Sequence, residues 1–286
     1  MSADITWQQT LSGSEVAAID AMLDRVRDAD GVSSLSEHSY LSLRARGGPG
    51  QRHLLARQAH EIVGYGFLDS ENVGEILVDP SARGQGLGHE LLSEVLRLGG
   101  PTTRLWSHGD LPQARRLAAN MVEVRRLCRY TRDLAALPDR PLPAGFSLRT
   151  FTPGDTDAWL ALNAEAFVDL PDQGGWTRVD LDQRLQQPWF DPAGFLLAFD
   201  DEGLAGFHWT KVHSEQLGEV YVLAVAGRTQ GSGLGSALTV AGLRHLRDQG
   251  LSQVMLYVDS SNTAGVALYT RLGFTRAECD VQYAMP

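Results

Sequence analysis

Two glycine-rich stretches of similar sequence decide the fold of this chain: VAGRTQGSGLG at residues 225–235 and VDPSARGQGLG at residues 78–88. In both, an apolar, β-branched run leads into a short turn. The glycines then open a segment whose leucines and alanines recur at three- and four-residue spacing. This pattern predicts a strand, a turn and an amphipathic helix. Because it occurs twice, it indicates an internal duplication.

The segments that flank the glycines also follow the same order in each half. Strand-like runs come before each glycine stretch, and a helix, a strand, a second helix and a last strand come after it. The predicted segments after the glycines are 86–98, 104–107, 112–121 and 124–131 in the first half, and 233–248, 253–258, 262–272 and 275–284 in the second. This order implies an α/β fold in each half, with a mixed sheet covered by helices.

A proline-rich segment, LPDRPLPAG at residues 137–145, separates the two halves. Proline interrupts helices and central strands, so this segment predicts a semi-rigid linker. The predicted domains are therefore 1–137 and 146–286, joined by a linker at 138–145. The length of 286 residues agrees with two domains of about 100–200 residues each.

Composition excludes several classes of protein. Hydrophobic residues make up 43% of the chain and charged residues 21%, which is typical of globular domains. The formal net charge of −10 disfavours nucleic acid as a partner. No apolar run approaches the roughly 20 residues that span a bilayer, and the first residues lack a secretion signal. The two cysteines lie outside any metal-binding spacing. We expect a cytoplasmic monomer without metal.

The glycines point to a phosphate site. Gln230-x-x-Gly233-x-Gly235 lies between a predicted strand and a predicted helix, and Arg83-x-x-Gly86-x-Gly88 holds the same place in the first half. Converging backbone N–H groups and the positive end of the helix dipole can bind a pyrophosphate there. The Walker and dinucleotide patterns both fail, the first for want of Lys-Ser/Thr and the second on glycine spacing. A purely structural strand-to-helix turn is the alternative.

The glycine pattern resembles the Q/R-x-x-G-x-G/A motif of the GNAT acetyltransferases, whose loop binds the pyrophosphate of acetyl-CoA. The resemblance implies two tandem GNAT acyl-CoA N-acyltransferase folds, with one acetyl-CoA for each domain. In the family, the strand before the loop carries a bulge and splays from its neighbour. By position this strand is 219–225, and the N–H of Leu223 would stabilise the thioester oxygen as it gathers charge.

A second signature belongs to the second half alone. The resemblance extends to Asn262-x-x-x-x-Ala267-Leu268-Tyr269-x-x-x-Gly273-Phe274, in which the family tyrosine serves as general acid. An unperturbed tyrosine has a pKa near 10, so Tyr269 would be protonated at neutral pH. Glu219, at the start of the expected bulged strand, is the candidate general base. Core packing for Tyr269 and a solvated strand end for Glu219 are the alternatives.

In the same register, the first half has neither a tyrosine nor a glutamate at the positions of the candidate acid and base. Leu111 stands opposite Asn262, Ala118 opposite Tyr269, and Asn72 opposite Glu219. We therefore expect the first half to bind acetyl-CoA without catalysing transfer.

Four strings are more specific than the superfamily motif: DQGGWT at 172–177, GFHWTKVH at 206–213, LGEVYVL at 217–223 and LYVD at 256–259. They resemble the mycothiol-forming branch of tandem GNAT enzymes, whose C-terminal half acetylates the cysteinyl amine of cysteinyl-glucosaminyl-inositol. Hydrogen-bonding side chains suit such a hydroxyl-rich substrate. Asp172 stands where a glutamate is more usual, which shortens the reach of its carboxylate.

The resemblance implies roles for individual residues. Those implied to bind the substrate are Glu37, Asp172, Lys211, Glu219 and Tyr257. Those implied to bind the coenzyme in the second half are Leu223, Ala224, Val225, Gln230, Gly231, Ser232, Gly233, Leu234, Gly235, Ser236, Asn262, Thr263, Ala264, Gly265, Val266 and Ala267. Those implied to bind it in the first half are Ile76, Leu77, Val78, Gly84, Gln85, Gly86, Leu87, Gly88 and His89.

Other interpretations stay open at this point. Trp176, Trp209 and His208 can be packing residues, and His38, His53, His60 and His108 suggest no partner. A GNAT enzyme acting on another small amine, an antibiotic or a peptide N-terminus would carry the same superfamily motif. A non-enzymatic acyl-CoA sensor would carry both glycine loops as well.

Overall fold

The computed structural model describes residues 3–286, except for the side chains of residues 171 and 172. The chain forms two compact units. Residues up to Leu127 together with Glu278–Pro286 form the first unit, and Cys128–Ala277 form the second. The last segment of the chain thus packs with the first unit, although it follows the second sequence repeat.

The first unit is a sheet with helices packed on it. Its strands are β1 (Asp4–Gln8), β2 (Arg52–Gln58), β3 (Glu61–Leu68), β4 (Val73–Val78) and β5 (Arg104–Ser107). Its helices are α1 (Gly13–Asp30), α2 (Glu37–Arg44), α3 (Leu87–Gly99) and α4 (Pro112–Leu117). The chain leaves the unit within β6 (Val122–Asp133) and returns within β12 (Thr275–Ala284).

Strands β1 to β5 lie side by side in chain order, and neighbours are antiparallel except β4 and β5, which are parallel. Val281–Ala284 of β12 pair antiparallel with β5. Local sequence explains the helix ends: Ser12 and Glu15 form a capping box before α1, and Gly31 closes that helix in the left-handed conformation.

The second unit repeats this plan. Its strands are β7 (Ser147–Thr150), β8 (Phe195–Asp200), β9 (Gly203–Val212), β10 (Leu217–Val225) and β11 (Gln253–Asp259). Its helices are α5 (Thr156–Ala166), α6 (Pro171–Gly174), α7 (Arg178–Leu185), α8 (Leu234–Asp248) and α9 (Thr263–Arg271). Neighbouring strands are antiparallel from β7 to β10, whereas β10 and β11 are parallel.

Most predicted segments match these elements within a few residues, and the mixed α/β class is confirmed. The helix predicted at 112–121 is the main difference, because α4 ends at Leu117. Ala118 N donates to Ala114 O at 2.9 Å, and Met121 N then donates to Ala118 O at 2.9 Å. This turn directs the chain into β6 at Val122.

One feature of the sheet occurs in both units: a parallel strand pair that parts early. β10 pairs with β11 over Leu217–Val220, but it continues beside β9 to Val225. β4 pairs with β5 at Val73 and Gly74, but it continues beside β3 to Val78. Within residues 3–286, the loop-side half of each strand therefore has one edge without a strand partner. This is the splay that the family resemblance implies.

Each sheet has a core on both faces. In the second unit, aromatic residues under α5 fill one face, and Leu234 and Leu238 of α8 pack on the other with Ala198 and Ala205. Leu87, Leu91 and Val95 of α3 are buried at four-residue spacing in the first unit. None of the helices in the described chain is long and apolar enough to cross a membrane.

α8 lies tightly on β9 because glycine allows a close approach. The imidazole of His208 lies against Gly242, where an added Cβ would come within 2.1 Å of the ring. His208 Nδ1 donates to Leu238 O at 2.7 Å, and burial lowers the pKa of His208 to about 4, so the ring is neutral.

We expect Gly242→Ala to lower the free energy of unfolding of the ligand-free protein by about 1–3 kcal/mol, because the methyl group overpacks the His208 contact. Urea unfolding measures this. Gly235→Ala in the same helix is the matched control, since the nearest atom to its Cβ is 3.7 Å away. Equal stability of the two variants would contradict the expected clash, since alanine alone favours the helix by about 1 kcal/mol.

Candidate active site

The glycine loop of the second unit has the geometry of an anion site. Gly231 and Gly233 have φ values of 80° and 88°, which favour glycine. Gly233 caps α8 without any side-chain hydrogen bond. A Cβ at Gly231 would meet nothing within 4 Å, and one at Gly233 would meet only Pro143 Cγ at 3.9 Å. Space is therefore open beside the first turn of α8, where backbone N–H groups can bind a pyrophosphate.

The first unit carries the same loop conformation. Gly84 and Gly86 have φ values of 75° and 90°, and a Cβ on either would meet nothing within 4 Å. Arg83 takes the position of Gln230, and its guanidinium donates to both carboxylate oxygens of Asp30 at 2.7 and 2.8 Å. Both loops thus fit the phosphate groups of a coenzyme.

A cavity of about 520 Å³ lies beside the first loop. It runs along the unpaired edge of β4, the start of α3 and one side of α4. The predicted coenzyme residues that line it are Ile76, Leu77, Val78, Gly84, Gly86, Leu87, Gly88 and His89, whereas Gln85 is absent from the lining. Ala118, which the sequence register sets opposite Tyr269, also lines the cavity. The cavity can accommodate a coenzyme arm and offers no phenol at that position.

Glu219 occupies the part of β10 where the parallel pair is still closed. It lies opposite Lys211 on β9 and Met255 on β11, and it is 7% exposed. Its Oε2 lies 2.7 Å from His213 Nε2. A solvated strand end is therefore excluded for Glu219, because its carboxylate is buried and hydrogen-bonded.

A β-bulge follows at Tyr221, where the register between β9 and β10 shifts. A bulge places two consecutive residues against one partner and bends the strand. The phenol oxygen of Tyr221 accepts a hydrogen bond from Arg184 Nε at 2.8 Å, and its ring packs against Trp189 and Trp209. In the first unit the pairing of β3 with β4 runs from Gly64 to Leu68 without a shift. The bulge expected from the family thus occurs in the second unit.

Lys211 extends over the same aromatic cluster. Its Nζ lies 4.6 Å from the centre of the Trp189 ring and 5.0 Å from that of Tyr221. Such cation–π contacts hold a long side chain in one direction. Because Lys211 and Glu219 are cross-strand neighbours, the two predicted substrate ligands lie on the same face of the sheet.

Tyr269 lies in the last turn of α9. It is 8% exposed, and its ring packs edge-on against Phe274 with centroids 5.7 Å apart. Burial raises the pKa of Tyr269 to about 12. Asn262 begins the helix by accepting a hydrogen bond from Gly265 N at 2.8 Å. The signature thus positions a buried phenol that stays protonated at neutral pH.

The other predicted ligands occupy varied positions. Glu37 is the first residue of α2, and Tyr257 is 41% exposed on β11. Leu223 pairs with β9 but lies beyond the part of β10 that pairs with β11, and its N–H could stabilise a developing oxyanion. Asp172 falls in α6, and its side chain lies outside the described part of the protein.

The three residues for which packing was the alternative interpretation lie in the core or beside it. His208 and Trp209 are fully buried, and the Trp209 ring stacks on Phe195 with centroids 4.3 Å apart. Trp176 packs partly buried against the same cluster, and Arg184 lies 3.8 Å above its ring. These contacts support the packing interpretation for all three.

A buried polar cluster in the first unit was not predicted from the sequence. His108 Nδ1 lies 3.0 Å from Asp280 Oδ2, and its Nε2 lies 3.3 Å from Glu75 Oε1. Ser36 N donates to both oxygens of Glu75 at 3.1 Å. Burial opposes the charge on His108, but hydrogen bonds to Asp280 and Glu75 outweigh burial and raise its pKa to about 10. His108 is therefore an imidazolium between two carboxylates.

His53 also has a partner that was not predicted from the sequence. Its Nδ1 lies 2.8 Å from Tyr65 Oη. Among the described side chains, no group of three or more His, Cys, Asp or Glu residues has the arrangement of a metal site.

Comparison with known families relates both units to acetyltransferases. The family described as "Acetyltransferase (GNAT) family" matches residues 157–274, and that described as "Acetyltransferase (GNAT) domain" matches residues 28–100. A tandem GNAT protein from the clavulanic acid biosynthesis pathway matches 98% of this chain and 98% of its own chain, with a TM-score of 0.73 at 20% identity. The prediction of two tandem GNAT folds is confirmed.

Sequence relatives are more specific. Proteins named mycothiol acetyltransferase share 52% identity in Thermobispora bispora, 48% in Salinispora tropica and 43% in Rhodococcus jostii. The matches cover 93%, 98% and 99% of this chain, and 94%, 96% and 99% of the respective relatives. Similarity at this level over whole chains extends well beyond a shared fold.

The buried histidine of the first unit yields a stability prediction. We expect His108→Gln to lower the free energy of unfolding by about 3–5 kcal/mol at pH 6, since Glu75 and Asp280 would lose the cation between them. The pKa of His108 is about 10 when folded and about 6.5 when unfolded. Its contribution is therefore complete below pH 6.5 and is lost as the pH rises through 10.

Urea unfolding of both proteins between pH 6 and pH 10 checks this expectation, and the gap between them should narrow with rising pH. His60→Asn is the control, because His60 is an exposed turn residue with a φ of 74° that asparagine tolerates. A gap that does not depend on pH would show that His108 is neutral in the folded protein.

Proposed function

The chain belongs to the mycothiol acetyltransferase family of GNAT N-acetyltransferases, and we propose that it acetylates the cysteinyl amine of desacetylmycothiol, cysteinyl-glucosaminyl-inositol, with acetyl-CoA. The products are mycothiol and CoA. The observation that carries the proposal is the second unit's β10, which has a buried carboxylate at one end, an open glycine loop at the other and an unpaired edge between them.

The coenzyme would supply an acetyl thioester and would be held by the groups on this edge. Residues 230–236 would bind its pyrophosphate at the start of α8. The edge of Leu223–Val225 that faces away from β9 would bind the arm of the coenzyme in the manner of an added strand. These groups fit because the loop is open and the strand edge has no strand partner within the described residues.

Glu219 would act as the base. A carboxylate can accept the proton of the substrate ammonium, directly or through water, and so leave a neutral amine as the nucleophile. Its cross-strand position opposite Lys211, another proposed substrate ligand, supports this role. Leu223 N–H would stabilise the oxygen that gathers negative charge.

Tyr269 would protonate the leaving thiolate, and the second proton that the amine nitrogen loses as the amide forms would restore the phenol. Burial raises its pKa to about 12, so the phenol is protonated at neutral pH and has a proton to donate. A thiolate bound in a buried site would be poorly solvated, which would raise its proton affinity and favour the transfer.

The first unit would hold a second acetyl-CoA without catalysing transfer. Eight of the nine predicted coenzyme residues line its cavity, and Ala118 stands where the second unit has Tyr269. Its buried carboxylate, Glu75, already accepts hydrogen bonds from Ser36 N and contacts His108, so it is a poor base. Two other functions remain for the test: acetylation of a different small amine, and acyl-CoA sensing without catalysis.

Turnover of a panel of amines tests the proposal. We expect cysteinyl-glucosaminyl-inositol to be acetylated with kcat/KM at least about 10²-fold above cysteine amide, glucosamine and a peptide N-terminus, because a site built to pair hydroxyls rejects analogues that lack them. Release of CoA measures the rate. Glu219→Gln and Tyr269→Phe should each lower kcat by about 10²-fold or more, with acetyl-CoA affinity near that of the wild type.

Each rival has its own outcome. Equal turnover of simple amines would point to another acceptor. Acetyl-CoA binding with no acetylated product from any amine would favour the sensor. Unaltered kcat in both variants would remove Glu219 and Tyr269 from the chemistry.

The two glycine loops allow a matched comparison. Gly86 and Gly233 have φ values of 90° and 88° with open space around them, so alanine strains both equally, by about 1–2 kcal/mol. We expect Gly233→Ala to impair acetyl transfer strongly. Gly86→Ala should instead lower coenzyme occupancy or stability, with a smaller effect on transfer in a single turnover.

Isothermal titration and single-turnover assays on both variants measure these effects. An equal loss of chemistry from the two substitutions would contradict the proposed division of labour between the units.

A further inference from the structure

His213 lies where β9 turns back towards β10. His213 N and Ser214 N donate to Leu217 O at 2.9 and 3.3 Å, and Ser214 Oγ accepts hydrogen bonds from Gln216 N and Leu217 N. This tight hairpin fixes the backbone of His213 next to the strand that carries Glu219.

The side chains of His213 and Glu219 meet directly. His213 Nε2 lies 2.7 Å from Glu219 Oε2, and the Glu219 side chain is 9% exposed whereas that of His213 is 31% exposed. Among the contacts of the described residues, Nδ1 of His213 has no hydrogen-bond partner. One ring nitrogen thus contacts the buried carboxylate, and the other belongs to a side chain that reaches the surface.

The proton balance of the reaction suggests a function for the contact between His213 and Glu219. Transfer of acetyl from a thioester to an ammonium yields an amide, a free thiol and one proton in excess. The proposed base takes that proton from the substrate, becomes a carboxylic acid, and cannot serve again until it loses the proton. Because Glu219 is buried, the loss needs a group that connects it to water.

We propose that His213 carries this proton from Glu219 to the solvent, as a positioning residue that acts through the carboxylate. The inference rests on the proposed role of Glu219 as base. In the first step the Glu219 carboxylate and the substrate ammonium become a carboxylic acid and a neutral amine. The acid then gives its proton to Nε2 of neutral imidazole, and the imidazolium gives its Nδ1 proton to water. Exchange of the remaining ring proton from Nε2 to Nδ1 through water prepares Nε2 for the next cycle. Carboxylate and neutral imidazole are restored.

The chemistry of the neighbours favours histidine for this role. Lys211, the cross-strand neighbour of Glu219, is an ammonium with three donors and no acceptor, so it can hold the carboxylate but cannot receive its proton. Neutral imidazole has one donor and one acceptor, so it can receive a proton on one nitrogen and release one from the other. The hydrogen bond of 2.7 Å brings it within proton-transfer distance.

The test is the buffer dependence of turnover. In weakly buffered solution, His213→Gln and His213→Asn should lower kcat by about 10²-fold while KM for both substrates changes little. Added imidazole, a small proton carrier, should restore about tenfold of that loss, whereas a bulky buffer at the same pH should not. A purely structural role for His213 would give no rescue.

Two control variants separate the role of His213 from general effects of substitution. Ser214→Ala weakens the same hairpin but leaves His213 in place, and it should show no buffer dependence. His60→Asn removes an exposed histidine elsewhere and should behave as the wild type. Urea unfolding of each variant shows whether it is folded. Glutamine keeps a donor beside Glu219, so the His213→Gln variant should retain the fold even where asparagine does not.

The outcomes separate the two proposals. Folded His213 variants with wild-type kcat in weak buffer would overturn the relay, while loss of activity in Glu219→Gln would leave the base in place. Lost activity that imidazole cannot restore would also overturn the relay. Full activity of Glu219→Gln would remove the base, and with it the premise of the relay.

Discussion

The parting of a parallel strand pair is the constraint on which the rest of each unit depends. β10 leaves β11 after Val220 and β4 leaves β5 after Gly74, while both strands stay paired on their other edge. A buried backbone edge without partners is costly, so a splayed strand needs a ligand or water to satisfy it. The strand then leads straight into the glycine loop. One backbone path therefore offers hydrogen bonds for an extended arm and N–H groups for a pyrophosphate.

The two units share this fold but differ in the partners of their buried carboxylates. In the first unit, Glu75 is neutralised by a buried His108 that Asp280 also holds, which makes a closed structural cluster. In the second, Glu219 contacts a histidine that is partly exposed, so a proton could move between the carboxylate and water. The bulge at Tyr221, absent from the paired residues of β3 and β4, accompanies this difference. The duplicated fold thus carries a closed structural cluster in one unit and, in the other, the carboxylate that we propose as the base.

Much of this could be predicted from the sequence because it depends on local patterns. The glycine loops, the amphipathic helices after them and the Asn262-to-Phe274 signature are all short-range features, and the structure has them at the expected positions. The end of α4 was missed because no proline or glycine marks it. The His108 cluster was missed because Asp280 lies 172 residues away along the chain. The pairing of Glu219 with His213 joins residues six apart, but it becomes visible only once the hairpin is known.

The sequence by itself determined the duplicated α/β plan, the two glycine loops and the different polar residues in the two halves, because periodicity and turn chemistry act over a few residues. The tertiary structure alone decided which unit the last segment packs with, where the parallel strands part and which carboxylates are buried beside a histidine. These properties arise from strand pairing and desolvation between distant segments. Composition and spacing do not predict these properties, since the same residue is a solvated charge or a buried base according to what packs over it.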